Sequence, residues 1–227
     1  MPLTVTGTTV TGLTVTGPSE EKLKLIFRLP KKIQRVNIET QEAADTLTGL
    51  DKKVKDYVQP FMETKYALEH LGAALVDDAG EWCDPIDPSK LDKTINHLVR
   101  CYTDISEWRF RILKRMILRG TRFLSADEIK HAFPDFYNLE APEGIWSLIK
   151  RGEEALKNAK LDNAEAEARI SFIDKLNVCA KAAMDQFQHN SLQTLRLKKI
   201  SKYIFAAAIG FITLIVIPII VAIILKG

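Results

Sequence analysis

Six cationic side chains between residues 109 and 122 are the strongest candidates for binding chemistry in this sequence. They are Arg109, Arg111, Lys114, Arg115, Arg119 and Arg122. No acidic residue interrupts them, and apolar residues such as Trp108 and Ile112 alternate with them. Each Lys or Arg close to an anionic membrane contributes about 1 kcal/mol of attraction. The cluster therefore predicts a surface that binds phosphate groups, either of lipids or of nucleic acid. The membrane anchor predicted below favours lipids.

The other reactive side chains do not form a recognisable catalytic set. The sequence has no Gly-rich phosphate loop, no Gly-x-Ser-x-Gly and no His-Glu-x-x-His motif. His97 and Cys101 lie one helical turn apart with Cys83 upstream, but the sequence offers no fourth zinc ligand at a conventional spacing. We therefore predict that the protein is not an enzyme and holds no metal or cofactor.

Composition is typical of one helical domain with appendages. The chain has 227 residues, 46% of them hydrophobic and 27% charged, with a net charge of +3. Three scattered cysteines, Cys83, Cys101 and Cys179, are too few for a disulfide framework and favour a reducing, cytosolic setting.

The end of the sequence predicts a membrane anchor. Ile204 to Leu225 are 22 consecutive uncharged residues, nine of them isoleucine. A helix of that length spans about 33 Å, enough to cross a hydrocarbon core of about 30 Å. Four cations precede this stretch and only Lys226 follows it, so the positive-inside rule predicts a cytosolic N-terminal portion. The four are Arg196, Lys198, Lys199 and Lys202. The anchor resembles those of the endoplasmic reticulum or endosomes, with the mitochondrial outer membrane as the alternative.

Helical periodicity places the basic cluster on the second of three predicted long helices. The first is expected at about residues 40–79, bent at Pro60, with the apolar seam Leu47, Leu50, Val54, Tyr57, Phe61, Thr64, Leu68, Leu71 and Leu75. The second has the seam Leu91, Ile95, Leu98, Tyr102, Ile105, Trp108, Ile112 and Met116, and ends near Gly120. Ser125 to Glu128 is a capping-box pattern that predicts a short helix ending near Pro134.

A third seam predicts a helix that opens at Pro142 and runs straight into the anchor. Its positions are Ile149, Gly152, Leu156, Ala159, Asn163, Ala166, Ile170, Ile173, Asn177, Ala180, Met184, Phe187 and Ser191. Asn163 and Asn177 are expected either to fix helix register or to mark where the seam turns to solvent. The predicted fold is all-α, an elongated three-helix coiled-coil bundle with a C-terminal single-pass transmembrane helix.

The first forty residues are predicted to lie outside that bundle. Residues 3–17 are three pentapeptide repeats ending in Gly, which predict a disordered or weakly extended tail. Lys22 to Ile38 alternates basic and apolar residues around Pro30, and reads as two short strands or as a basic membrane-surface segment. The predicted domains are therefore residues 1–39 as a flexible segment, 40–202 as a cytosolic bundle and 203–225 as the anchor.

The layout of residues 41–204 resembles the BAR domain of sorting nexins. The resemblance is carried by Ala67-Leu68-Glu69-His70-Leu71-Gly72-Ala73-Ala74-Leu75, by the basic second helix, and by Phe187, Leu195, Arg196 and Tyr203 near the end. The chain departs from the family at Thr194, where the family usually has Asp. The resemblance implies a homodimer whose basic face, Arg109 to Arg122, meets a curved anionic membrane.

Two other classes fit a tail-anchored helical protein. A SNARE would zip with partner helices, but the third seam has Asn163, Ala166 and Ile170 where that family has a central Gln or Arg. A Bcl-2-type regulator would carry Asn-Trp-Gly-Arg, whereas this chain has Glu107-Trp108-Arg109. We therefore predict a tail-anchored protein whose bundle binds or shapes anionic membranes, or scaffolds partners, as a dimer or with a helical partner and without nucleic acid.

Overall fold

The structure is a computed structural model of the chain. It describes residues 8–10, 13–15, 18–45, 58–77, 79–81, 83, 86–161, 164–189 and 192–224. These residues are overwhelmingly helical, which confirms the predicted all-α class.

The elements follow one another along the chain as short strands and then helices. In order they are β1 Thr8–Val10, β2 Leu13–Val15, α1 Pro18–Asp45, α2 Val58–Leu75, α3 Pro88–Thr121, α4 Ala126–Ala132, α5 Ile145–Ala159, α6 Ala166–His189, α7 Leu192–Phe211, a π-helical turn Ile212–Val216 and α8 Ile217–Ile224. The last three are continuous and form one rod. With α7, the π-helical turn and α8 counted as one helix, the described residues form seven helices, whereas the sequence predicted three long helices and one short one.

The described part of the pentapeptide repeats is a small hairpin. β1 and β2 pair antiparallel, with Thr8 opposite Val15 and Val10 opposite Leu13. The β-branched Thr and Val side chains of each repeat suit an extended backbone. The first repeat, residues 3–7, lies outside the described residues.

The basic segment that follows is a helix, so its interpretation as two strands is wrong. Helix α1 continues through Pro30 and crosses the boundary predicted at residue 39. Leu25, Leu29 and Val36 on its apolar side are buried in the protein core. These side chains pack inside the protein because apolar residues at helical spacing gain more from the core than from solvent.

Helix α2 buries only part of the seam predicted for it, since Leu71 and Leu75 pack against the core but other members do not. Of the predicted seam, Leu47, Leu50, Val54 and Tyr57 lie outside the described residues. Phe61 and Leu68 are 67% and 63% exposed, whereas Ala67 and Ala74 are buried. The small alanines allow close packing on that side. Pro60 falls in the first turn of α2, where its missing N–H requires no partner. Residues 46–57, which belong to the N-terminal arm of the predicted bent helix, lie outside the described residues.

The chain divides into two compact units. The first contains Met1–Leu113 and Ile149–Lys181, and the second contains Lys114–Leu148 and Ala182–Gly227. Helices α3 and α6 each contribute residues to both units.

The core of the first unit confirms the second predicted seam. Leu91, Ile95, Leu98, Tyr102 and Ile105 of α3 are buried together with Ile170 and Ile173 of α6 and the apolar side of α1. Each buried aliphatic side chain contributes about 1.5–3 kcal/mol through removal from water.

A buried polar network crosses this core and explains Asn177. The amide of Asn177 donates to the hydroxyl of Ser106 at 2.8 Å and to that of Tyr102 at 3.3 Å. Tyr102 in turn donates to Asp174 at 2.8 Å, and Lys32 of α1 donates to the same carboxylate. Asn177 is only 9% exposed, so the interpretation that the seam turns to solvent there is wrong. Directional bonds of this kind fix the register of α1, α3 and α6.

The predicted third helix begins later than expected and is interrupted after Ala159. Helix α5 begins at Ile145 rather than Pro142, because the Gly144 N–H closes a turn onto the Ala141 carbonyl at 3.0 Å. Helix α5 then ends at Ala159, whose carbonyl accepts a hydrogen bond from the Arg169 side chain at 3.0 Å. Asn163 lies outside the described residues. The apolar spacing of this seam is nevertheless correct, since Ile149, Ile170 and Phe187 are buried.

The core of the second unit is built around aromatic rings. Phe136 is 1% exposed, and it meets Trp146 edge-on with ring centroids 6.3 Å apart. Phe187 of α6 packs on the end of α3 at Gly120, where an added Cβ would lie 2.2 Å from its ring. Glycine is therefore required there, and the contact holds the C-terminal turn of α3 in place.

Candidate membrane-contact site

One helix in the described residues is long and apolar enough to cross a bilayer. It covers Thr194–Val221, 28 residues. Its most apolar 18-residue window has a mean hydropathy of 2.9, and none of that window is buried inside the protein. An unburied isoleucine-rich helix is unfavourable in water, since each exposed side chain forgoes the 1.5–3 kcal/mol of burial. These properties are typical of a transmembrane span.

The π-helical turn in the rod has a local cause. Pro218 lacks an N–H, and its ring clashes with the carbonyl four residues earlier in a regular α-helix. The backbone accommodates this by widening, so that the Ile217 N–H donates to the Ile212 carbonyl, five residues back. The Thr213 hydroxyl donates to the Ile209 carbonyl at 2.9 Å. Backbone groups near the proline are thus satisfied within the helix, as a lipid environment requires.

Two of the six predicted cations lie in the first unit and are paired with carboxylates. Arg109 is 6% exposed, and its guanidinium lies 2.7 Å from Glu39. Arg111 is exposed but lies 2.7 Å from Glu107, which also binds Lys160 at 2.6 Å. Burial opposes ionisation of Glu107, but the ammonium of Lys160 and the guanidinium of Arg111 outweigh it and lower the pKa of this carboxyl. Arg109 therefore acts chiefly in the fold, whereas Arg111 remains at the surface beside a carboxylate.

The other four predicted cations lie in the second unit, at the end of α3. Lys114 and Arg119 are half-buried, while Arg115 and Arg122 are exposed. Among the described residues, Arg115, Arg119 and Arg122 have no carboxylate within ion-pairing distance. Arg115 and Arg119 are one turn apart on the same side of α3, and Arg122 follows in the turn directly after the helix, where its N–H donates to the Arg119 carbonyl at 3.3 Å. These three arginines can bind an external anion.

Two exposed apolar side chains accompany these arginines. Leu118 is 58% exposed and Phe123 is 53% exposed. The Arg122 guanidinium lies 5.0 Å from the centre of the Phe123 ring. Phe123 also has a φ of 73°, a left-handed conformation that is costly for a bulky residue and usually taken by Gly at this position after a helix. Strain at an exposed aromatic residue is typical of a functional position. We call Arg115, Leu118, Arg119, Arg122 and Phe123 the α3 tip.

An ion pair ties the segment after the α3 tip to the beginning of the apolar rod. Ser125 and Glu128 form the capping box predicted for α4, with the Ser125 N–H donating to Glu128 Oε2 at 2.7 Å. The same carboxylate oxygen lies 2.6 Å from the ammonium of Lys199 in α7. The hydrogen bond from Lys199 has the largest effect on Glu128, and the hydrogen bonds from Ser125 add to it. Together they hold the pKa of Glu128 well below its usual range, at about 2.

A groove of about 840 Å³ lies beside this ion pair. It is lined by Glu128 of α4 and by Leu195, Leu197, Lys198, Lys199, Ser201, Lys202, Tyr203 and Ala206 of α7. All of these residues belong to the second unit.

No family model, curated protein or solved structure matches this chain. The function therefore has to be argued from the chain's own residues.

His97 and Cys101, which were considered as zinc ligands, make structural contacts with neighbouring side chains. His97 Nδ1 lies 2.6 Å from buried Glu63 and stacks on His70, while the Cys101 thiol lies 3.5 Å from the Thr64 hydroxyl. Burial raises the pKa of the Cys101 thiol to about 11. No group of three or more His, Cys, Asp or Glu side chains in the described part of the chain could hold a metal ion.

The structure adds residues that the sequence did not point to. Phe123 and Leu118 read as ordinary apolar positions, because the left-handed turn after Gly120 has no glycine signature at residue 123. Glu128 was recognised as a helix cap, but its partner Lys199 is 71 residues away and no local pattern connects them. Lys198 and Lys202 were noted only as flanking charges of the anchor.

Proposed function

We propose that this chain is a single-pass membrane protein whose helical domain is held against the bilayer and binds its anionic lipids through the α3 tip. The observation that carries the proposal is the ion pair between Glu128 and Lys199. It joins the helix that follows the tip to the helix that enters the membrane.

The reach of the chain keeps the tip close to the membrane surface. Phe123 and Glu128 are five residues apart, so their Cα atoms are separated by at most about 18 Å. Lys199 precedes Ile204 by five residues, about 7.5 Å along a helix. A tether this short raises the effective concentration of headgroups at the tip and removes much of the entropic cost of binding.

Charge and apolar surface favour lipid as the ligand. Three arginines near an anionic leaflet contribute roughly 3 kcal/mol together, and salt weakens this attraction. Insertion of Phe123 among the headgroups adds apolar burial and supports its strained backbone conformation. Nucleic acid would satisfy the arginines but would leave Phe123 and Leu118 without a matching apolar layer.

The charges that flank the rod support a cytosolic orientation of the helical domain. Arg196, Lys198, Lys199 and Lys202 precede the span, so the helical domain faces the cytosol. The endoplasmic reticulum or endosomes are the proposed membranes. Homodimerisation and membrane bending, which the sorting-nexin resemblance implies, remain predictions, as does a scaffolding role.

The test has two parts and uses the full chain. The first is extraction of cellular membranes with alkaline carbonate, which should leave the protein in the membrane pellet. Release into the supernatant would contradict the anchor. The second is hydrogen exchange of the backbone around residues 118–125 after reconstitution into nanodiscs. Exchange should be slower in discs that contain phosphatidylserine than in phosphatidylcholine discs, and high salt should reduce the difference.

A charge-matched variant isolates the tip. Arg115→Gln/Arg119→Gln/Arg122→Gln should abolish the lipid dependence of exchange. Arg28→Gln/Lys31→Gln/Arg100→Gln removes the same charge from exposed residues of the first unit and should retain it. Equal lipid dependence in the two triple variants would refute a role for the tip.

A further inference from the structure

The groove between α4 and α7 has the chemistry of a binding site for one phospholipid. Five of its α7 residues recur every three or four positions and share one face of that helix: Leu195, Lys198, Lys199, Lys202 and Ala206. Glu128 forms the facing wall. The volume of about 840 Å³ lies within the range of small-molecule sites.

The charges in the groove are unbalanced. Three lysines and one glutamate line it, which leaves two net positive charges. Glu128 is bound to Lys199 at 2.6 Å, whereas Lys198 and Lys202 have no carboxylate partner among the described residues. Lys198 and Lys202 are one helical turn apart, close enough for their ammonium groups to bind two oxygens of the same phosphate. The Ser201 hydroxyl lies on the same stretch and can donate a further hydrogen bond.

The position of the groove along the rod distinguishes a lipid from a soluble phosphate. Lys202 and Tyr203 immediately precede the uncharged stretch that begins at Ile204, a position typical of the membrane interface. Ala206 extends the groove into the apolar region, and Gly210 follows it one turn later with open space around its Cα. Small side chains leave room for an acyl chain beside the helix. A soluble phosphate would fill only the polar end.

We propose that this groove binds one anionic phospholipid, with its phosphate between Lys198 and Lys202 and an acyl chain along Ala206. This inference rests on the proposed membrane anchoring. Glu128 is a positioning residue. Its ion pair with Lys199 holds α4 against α7, so that α4 forms the opposite wall of the groove.

Native mass spectrometry of the full chain in a neutral detergent tests the site. Titration with phosphatidic acid should give one retained lipid per chain at concentrations about tenfold or more below those needed for phosphatidylcholine. Lys198→Gln/Lys202→Gln should weaken phosphatidic acid retention about tenfold or more, since two attractive charges are lost. Lys31→Gln/Lys157→Gln, which neutralises two exposed lysines of α1 and α5, should retain the lipid like the parent chain.

Three outcomes would overturn the proposal. The first is equal retention of phosphatidic acid by the groove variant and the parent chain. The second is equal retention of phosphatidic acid and phosphatidylcholine. The third is displacement of the lipid by an equal concentration of glycerol phosphate, because the acyl chain would then contribute nothing.

The site and the anchor can fail separately. The groove variant leaves the span intact, so carbonate extraction should still recover it in the membrane pellet. Release of both variant and parent by carbonate would refute anchoring, while lipid retention in detergent would still report on the groove.

Discussion

The two halves of the basic cluster at residues 109–122 have similar basic, aliphatic sequences but different electrostatics. Before residue 114, Arg109 pairs with Glu39, and Arg111 shares Glu107 with Lys160. After it, Arg115, Arg119 and Arg122 have no carboxylate partner in the described part of the chain. A cation that is buried beside a carboxylate stabilises the fold, whereas one that is left unpaired at the surface is available to a ligand. The composition of a helix does not distinguish these roles, but the position of the acidic side chains does.

The largest expected effect comes from removing the charge of Arg109. Arg109→Met removes the nearer of two cations from Glu39, whose side chain is three-quarters buried, and leaves Arg35 at 3.2 Å from the other carboxylate oxygen. We expect the free energy of unfolding to fall by about 2–3 kcal/mol, less than for a fully buried pair because Glu39 retains some contact with water. Urea denaturation in detergent micelles, followed by circular dichroism, measures this change.

Arg115→Met is the matched control for that experiment. Arg115 is exposed, so its replacement should change the free energy of unfolding by no more than about 0.5 kcal/mol. It should instead weaken the lipid dependence of exchange at the α3 tip. Equal destabilisation by the two substitutions would show that the contrast between the two halves of the basic cluster is wrong.

A smaller effect is expected from the buried network of the first unit. Tyr102→Phe removes the hydroxyl that donates to Asp174 and accepts from Asn177. Burial and the neighbouring Asp174 raise the pKa of Tyr102 well above its usual range, so the hydroxyl stays protonated and remains a donor. We expect a loss of about 1–2 kcal/mol in the free energy of unfolding.

Ser106→Ala provides an internal comparison for that substitution. It removes the second acceptor of the Asn177 amide, at 2.8 Å, without disturbing Asp174. Because the two hydroxyls share Asn177, the double variant should lose less than the sum of the single variants. Strict additivity would indicate that the two bonds do not act as one network.

Sequence patterns predicted the parts of the fold that depend on local periodicity. The buried side of α3, the Ser125–Glu128 cap and the apolar rod all follow from residue spacing, and the structure has each of them. In α2, Leu71 and Leu75 pack as predicted, but Phe61 and Leu68 were wrongly placed on the inward face because they are larger and more apolar than the alanines that pack there. The end of α5 at Ala159 involves a hydrogen bond from Arg169, ten residues further on. The availability of the α3 tip arginines depends on which carboxylates lie near them in space. Neither can be obtained from a single helical pattern.

The candidate site was predicted only in part for the same reason. Arg115, Arg119 and Arg122 were recognised by charge, but Arg109 was grouped with them although it is buried. The spacing of cations along a helix is visible in a sequence. Pairing with Glu39, 70 residues earlier, is a property of the packed helices α1 and α3.

The smallest expected effect, and the most local, concerns the ion pair that connects α4 with α7. Lys199 and Ser125 lower the pKa of Glu128 from 4.5 to about 2, so this carboxylate contributes stability above pH 4.5 that is lost as the pH falls through 2. In Lys199→Gln the pKa of Glu128 should rise toward its usual value without reaching it, because the Ser125 N–H still donates at 2.7 Å. A carbon-detected NMR titration of the Glu128 carboxyl measures both values. Lys202→Gln, one turn away, should leave the titration nearly unchanged. If Lys199→Gln left the Glu128 pKa at its parent value, the ion pair would not form in solution, and the short tether between the α3 tip and the membrane span would be lost with it.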